Sequence, residues 1–135
     1  MADLKLFDLE IYKLSMELSE IIYGEVIQWN YFDKGTLGKQ IVRSSDSVVL
    51  NISEGYGRFH YKENSHYCYY ARGSLYETIV ALKLAVNRKL ISANRYQELK
   101  SKATTLSVKL NNYIKTIGQQ PAQKINQDSM DSTSS

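Results

Sequence analysis

Residues 41–58 read IVRSSDSVVLNISEGYGR, and this stretch decides the fold. At about 100° per residue, Leu37, Ile41, Val48 and Ile52 fall on one side of a helix. Arg43, Ser47, Asn51, Glu54 and Arg58 fall together roughly 100° away. The first stripe requires a core to pack against. The second is too polar for core and too regular in spacing to be incidental. VVL at residues 48–50 is the best β-like run in the chain, yet it sits inside this helical period.

Three more helical segments flank this one. Residues 7–29 carry Ile11, Leu14, Leu18, Ile21, Ile22 and Val26 at i, i+3, i+4 spacing. The sequence NYFDKG, residues 30–35, reads as a turn, with Asn, Asp and Gly as breakers. The helix over 36–54 then stops at Gly55 and Gly57, which can take left-handed geometry without a Cβ penalty. Residues 62–88 carry Tyr67, Ala71, Leu75, Ile79, Leu82 and Val86. After a break at 89–91, Ser92 is a good N-cap. From there Tyr96, Leu99, Ala103, Leu106, Leu110, Tyr113 and Ile117 alternate spacings of three and four to Gly118. Four amphipathic helices with short links specify an all-α, antiparallel up-down four-helix bundle over residues 1–118. Residues 119–135 are polar and aperiodic and read as a disordered tail.

Composition narrows the function. At 135 residues the chain makes one domain. The single Cys68 excludes an intramolecular disulfide and fits a reducing compartment. No apolar run approaches a membrane span, and MADLKLFDLE has acids where a signal peptide would be basic and apolar, so a cytoplasmic location is expected. Net charge is +3, of which the tail carries −1 and the body therefore +4. Such mild basicity permits an acidic partner without demanding one.

Each candidate site has a structural reading beside its functional one. The polar face of Arg43, Ser47, Asn51 and Glu54 reads first as a structural network against residues 62–88, with Glu54 accepting from Arg58 or Arg72. The other readings are a ligand contact and catalysis. The run Tyr56, Arg58, Phe59, His60, Tyr61, Lys62, Tyr67, Tyr69, Tyr70, Arg72 interleaves aromatics with cations. Oligomer interfaces use that composition, and so do nucleic-acid surfaces. Gly73, inside a helix at a cost of about 1 kcal/mol, calls for close approach by another helix. His60, His66 and Cys68 do not share a helix face, so no metal site is expected. No catalytic triad is legible, Asp33 and Asp46 are isolated, and no cofactor is implied. Lys100, Lys102, Lys109 and Lys115 read as a solvated face, or as a basic rim in an assembly.

Arg43, Ser47, Val48, Asn51, Ile52, Glu54, Gly55, Tyr56, Gly57 and Arg58 match R-x-x-x-S-[VI]-x-x-N-[IV]-x-E-G-Y-G-R. Ala71, Arg72, Gly73, Ser74, Leu75 and Glu77 follow as A-R-G-S-L-x-E. Together these resemble the bacterial four-helix bundle proteins. That family includes proteins encoded in intervening sequences of 23S ribosomal RNA genes and the accessory variability proteins of diversity-generating retroelements. The resemblance spans residues 7–118. It implies a ring-forming bundle, a homopentamer, with a role in nucleic-acid binding. The partners it implies are further copies of the chain, RNA or DNA, and a reverse transcriptase or another protein. Val49 stands where many relatives have proline, which removes a helix kink.

The expected function is therefore non-enzymatic: a self-assembling bundle that acts as an RNA- or DNA-binding adaptor or chaperone, or else as a protein-interaction scaffold. On the first reading, the composition and the resemblance together select Arg58, Lys62, Arg72 and Lys83 as phosphate contacts, with Tyr69 and Tyr76 as stacking platforms.

Overall fold

The computed structural model describes residues 5–119. Every regular element among them is helical: α1 (Lys5–Asp8), α2 (Glu10–Val26), α3 (Tyr31–Asp33), a π-helical turn (Lys34–Gly38), α4 (Lys39–Tyr56), α5 (Tyr61–Asn87) and α6 (Ala93–Gly118). The expectation of a disordered tail falls on residues that, apart from Gln119, lie outside those described.

Side-chain pairs fix the helix directions. Glu10, Glu17 and Glu25 of α2 meet Lys109, Lys102 and Arg95 of α6 in reverse order. Ser19 of α2 bonds Asp46 of α4. Ser44 of α4 bonds Thr78 of α5, and Asn64 of α5 bonds Tyr113 of α6. Each long helix packs on two neighbours, α2 and α5 each lying between α4 and α6. All four adjacent pairs are antiparallel, as the short links require.

The core is built mainly on the stripes read from the sequence, though Tyr67 falls outside it and Trp29, Cys68, Ala85, Ile91 and Ile114 join it. Leu37, Ile41, Val48 and Ile52 are buried against Ile11, Leu18, Ile22, Leu75, Leu82, Leu99, Leu106 and Leu110. Each such side chain contributes about 1.5–3 kcal/mol on leaving water. Leu14, Ile21, Ile79, Val86 and Tyr113 pack on its rim.

The ends of the helices differ from expectation, each for a local reason. The first segment is not one helix from 7 to 29. It breaks at Leu9, whose extended backbone caps α2, and α2 ends at Val26. Residues 30–35 are not a simple turn. Asn30 caps rather than breaks, its side chain accepting from the Asp33 backbone N–H, and the chain re-enters helix at Tyr31. The π-helical turn then joins α3 to α4. It holds Gly38 so close to α2 that an added Cβ would stand 2.7 Å from Val26 Cγ1.

Neither glycine of the GYG motif adopts left-handed geometry. α4 runs through Gly55 to Tyr56, and Gly57 closes it at φ −78°. Among the described residues the left-handed one is Lys89, at φ 61°. It sits in a Schellman cap, where Lys89 N–H bonds Val86 O and Leu90 N–H bonds Ala85 O. Gly55 serves a steric purpose instead. A Cβ there would lie 2.7 Å from Asn64 Oδ1 and 2.9 Å from Tyr67 Cβ, so α5 crosses α4 at a distance only glycine permits. Gly73 shows the opposite: a Cβ there would meet nothing within 4 Å, so no helix among the described residues approaches it.

The two motif glycines should therefore respond differently. Gly55→Ala is expected to destabilise the fold by about 1–3 kcal/mol through overpacking. Gly57→Ala, with its nearest contact at 3.7 Å, should shift stability by no more than about 0.5 kcal/mol. Urea denaturation of both variants measures the contrast.

Candidate functional site

The link from α4 to α5, residues 57–60, is an elbow in which the GYG motif meets the start of α5. Arg58 donates to Glu54 at 2.6 Å and to the Tyr67 hydroxyl at 2.9 Å. Its guanidinium carbon also lies 4.9 Å from the centre of the Tyr67 ring. Partial burial opposes the charge, but Tyr67 and Glu54 outweigh it, and the guanidinium pKa is raised. Arg58 Nε is enclosed without a partner. The sequence placed Glu54 opposite Arg58 or Arg72, and in the structure Arg58 fills that position.

Beneath the elbow is a polar group that periodicity alone did not reveal. Asn64 is 1% exposed. It donates to the Tyr113 hydroxyl at 3.2 Å and accepts from the Cys68 thiol at 3.5 Å. Burial raises the Cys68 thiol from 9.0 to about 12. Burial likewise raises the Tyr113 hydroxyl from 10.0 to about 12, with Asn64 pulling weakly the other way. Both groups are neutral hydrogen-bonding parts of the core at physiological pH. The available signal was the i, i+4 pair Asn64–Cys68, one turn apart and in phase with Ala71 and Leu75.

The remaining candidates do not converge on one pocket. Arg72 turns away from α4, donating to Asn111 of α6 at 3.0 Å and covering the Tyr69 ring at 4.8 Å. Lys83 lies over Tyr96 of α6. Arg43 pairs loosely with Glu77 at 3.9 Å. Asn51 donates to the Ser47 carbonyl of its own helix. Ser47 itself lines a surface groove between α2 and α4. Lys102 and Lys109 pair with Glu17 and Glu10. Among the described residues no three His, Cys, Asp or Glu side chains gather as metal ligands. No helix among them is long and apolar enough to cross a membrane.

Lys62, Tyr69, Tyr76 and Lys83 instead recur every seven residues along the outer face of α5. They extend over about 31 Å, too far to form one compact site. Gly73 and Val80 lie between them and Leu84 just beyond, and Val80 is 61% exposed. The face is cationic at its ends and apolar in the middle. The open Gly73 is at its centre.

A family model described as 23S rRNA-intervening sequence protein matches residues 7–112. A crystal structure from Bacteroides thetaiotaomicron VPI-5482, described as a protein of unknown function from the S23 ribosomal protein family, superposes with a TM-score of 0.70. It shares 23% identity and covers 78% of this chain and 98% of its own, which shows a common fold. No curated protein matches the chain.

The buried pair gives an alkaline signature. Both folded-state pKa values are raised, so their contribution is complete below about pH 9 and is lost as pH rises towards 12. The urea midpoint should fall above pH 9, and fall less steeply in Cys68→Ala. At pH 8 the native thiol should resist a disulfide reagent that modifies the unfolded chain at once. Asn64→Ala should cost about 2–4 kcal/mol by leaving the Tyr113 hydroxyl and a cavity unfilled.

Proposed function

The chain belongs to the 23S rRNA-intervening sequence protein family, and from that premise we propose that it works as a non-enzymatic, self-assembling helical scaffold. One observation carries this reading: the outer face of α5 is apolar and exposed at Tyr69, Tyr76, Val80 and Leu84, around a glycine that nothing among the described residues approaches. Gly in mid-helix costs about 1 kcal/mol against Ala. Close approach by a helix of another copy offsets that cost, because a residue without Cβ lets two backbones pack tightly. Exposed apolar stripes of this kind mark association surfaces. A two-fold pair would set this face against itself, whereas a closed ring would set it against a different face of the neighbour. The ring of five implied by the resemblance is the second geometry.

Nucleic-acid binding is a second reading, favoured by Lys62. This exposed lysine has no partner among the described residues and lies one heptad from the exposed Tyr69. Repetition of a +4 body in an assembly would multiply weak phosphate contacts. Against it, Arg58 and Arg72 are already engaged within the chain, Arg58 with Glu54 and Tyr67 and Arg72 with Asn111.

Two measurements test these readings. Sedimentation equilibrium should give an oligomer for the wild type and a lower mass for Gly73→Trp, with helical content unchanged by circular dichroism. A monomeric wild type sinks the scaffold reading. RNA anisotropy across salt concentrations should show binding that weakens steeply with salt and is reduced in Arg58→Ala/Lys62→Ala. Equal affinity of that variant and the wild type would sink the second reading.

A further inference from the structure

A groove of about 640 Å³ runs between the C-terminal end of α2 and the first three turns of α4. Its apolar surface comes from Tyr23, Ile27, Val42 and Leu50. Leu50, Tyr23 and Ile27 are 66%, 53% and 49% exposed, so the bundle leaves this surface uncovered. The groove exists because Gly38 lets the π-helical turn close on Val26, bringing the two helices together at one end. From Lys39 to Leu50 it extends about 16 Å, or three helical turns. That length accommodates apolar anchors at i, i+4 and i+7 of a bound helix.

Charge identifies the occupant. Lys34, Lys39 and Arg43 border the groove. Lys34 and Lys39 have no partner among the described residues, and Arg43 has only the loose pair with Glu77. The single acid at the groove, Asp46, is already bonded by Ser19. The outer face of α5 is a poor match, because its own ends carry Lys62 and Lys83 and its Glu77 faces Arg43. We propose that the α2–α4 groove docks an amphipathic helix of a different protein, with apolar anchors and acidic flanks. This goes beyond the scaffold reading and rests on a different face of the bundle.

The probe is a fluorescein-labelled, lactam-stapled 15-residue helix with leucine at i, i+4, i+7 and i+11 and glutamate on both flanks. A twin carries lysine for each glutamate. Anisotropy against the full chain should show saturable binding of the acidic helix at about 100 µM or tighter, and no binding of the twin. Lys34→Glu/Lys39→Glu should weaken it about tenfold or more, and so should Leu50→Asp. These positions are exposed, and circular dichroism verifies that the variants fold. No binding of the acidic helix, equal binding of the twin, or indifference to the groove variants overturns the proposal. So does a fall in assembly mass in Leu50→Asp, which would show that a second copy covers the groove. The scaffold reading fails separately, through a monomeric wild type.

Discussion

The contact on which the rest of this structure depends is the crossing of α4 and α5 at Gly55. The helices approach so closely there that a single methyl group would collide with the Asn64 amide. That approach carries Asn64 into the core, where it bonds Tyr113 and Cys68. A buried amide tolerates few alternative registers, because any slip leaves a donor or acceptor unpaired at a cost of about 1–3 kcal/mol. The α4–α5–α6 arrangement is thereby fixed at one end. The Ser44–Thr78 bond fixes α4 against α5 nearer the other end.

Above this crossing, Arg58 closes the elbow. It ties Glu54 of α4 to Tyr67 of α5 through two hydrogen bonds and a ring contact. The polar motif that first suggests a ligand thus has local structural work in holding a helix–helix corner. Surface ion pairs alone contribute little, but this one is coupled to a ring and to the close crossing beneath it. The binding surfaces proposed for the chain lie elsewhere, on the outside of α5 and in the α2–α4 groove.

Those two surfaces have different physical character. The α5 face carries exposed aromatic side chains around an open glycine. The groove is concave and bordered by Lys34 and Lys39, which have no partner among the described residues. One suits a helix of another copy, and the other suits an acidic helix.

The sequence by itself determined the helices, their core stripes and their antiparallel order. These follow from periodicity and short links, which are local properties of the chain. It also singled out Gly55, Gly73 and the Glu54–Arg58 pair, though it assigned Gly55 the wrong reason. Tertiary structure decided what those residues meet. Only the packed bundle shows that Gly55 makes room for Asn64, that Arg72 turns to Asn111 rather than Glu54, and that Gly73 is open. The left-handed cap at Lys89 was hidden because no glycine marks it. The groove was hidden because it depends on how closely the π-helical turn approaches α2, a distance between segments that one-dimensional spacing does not encode.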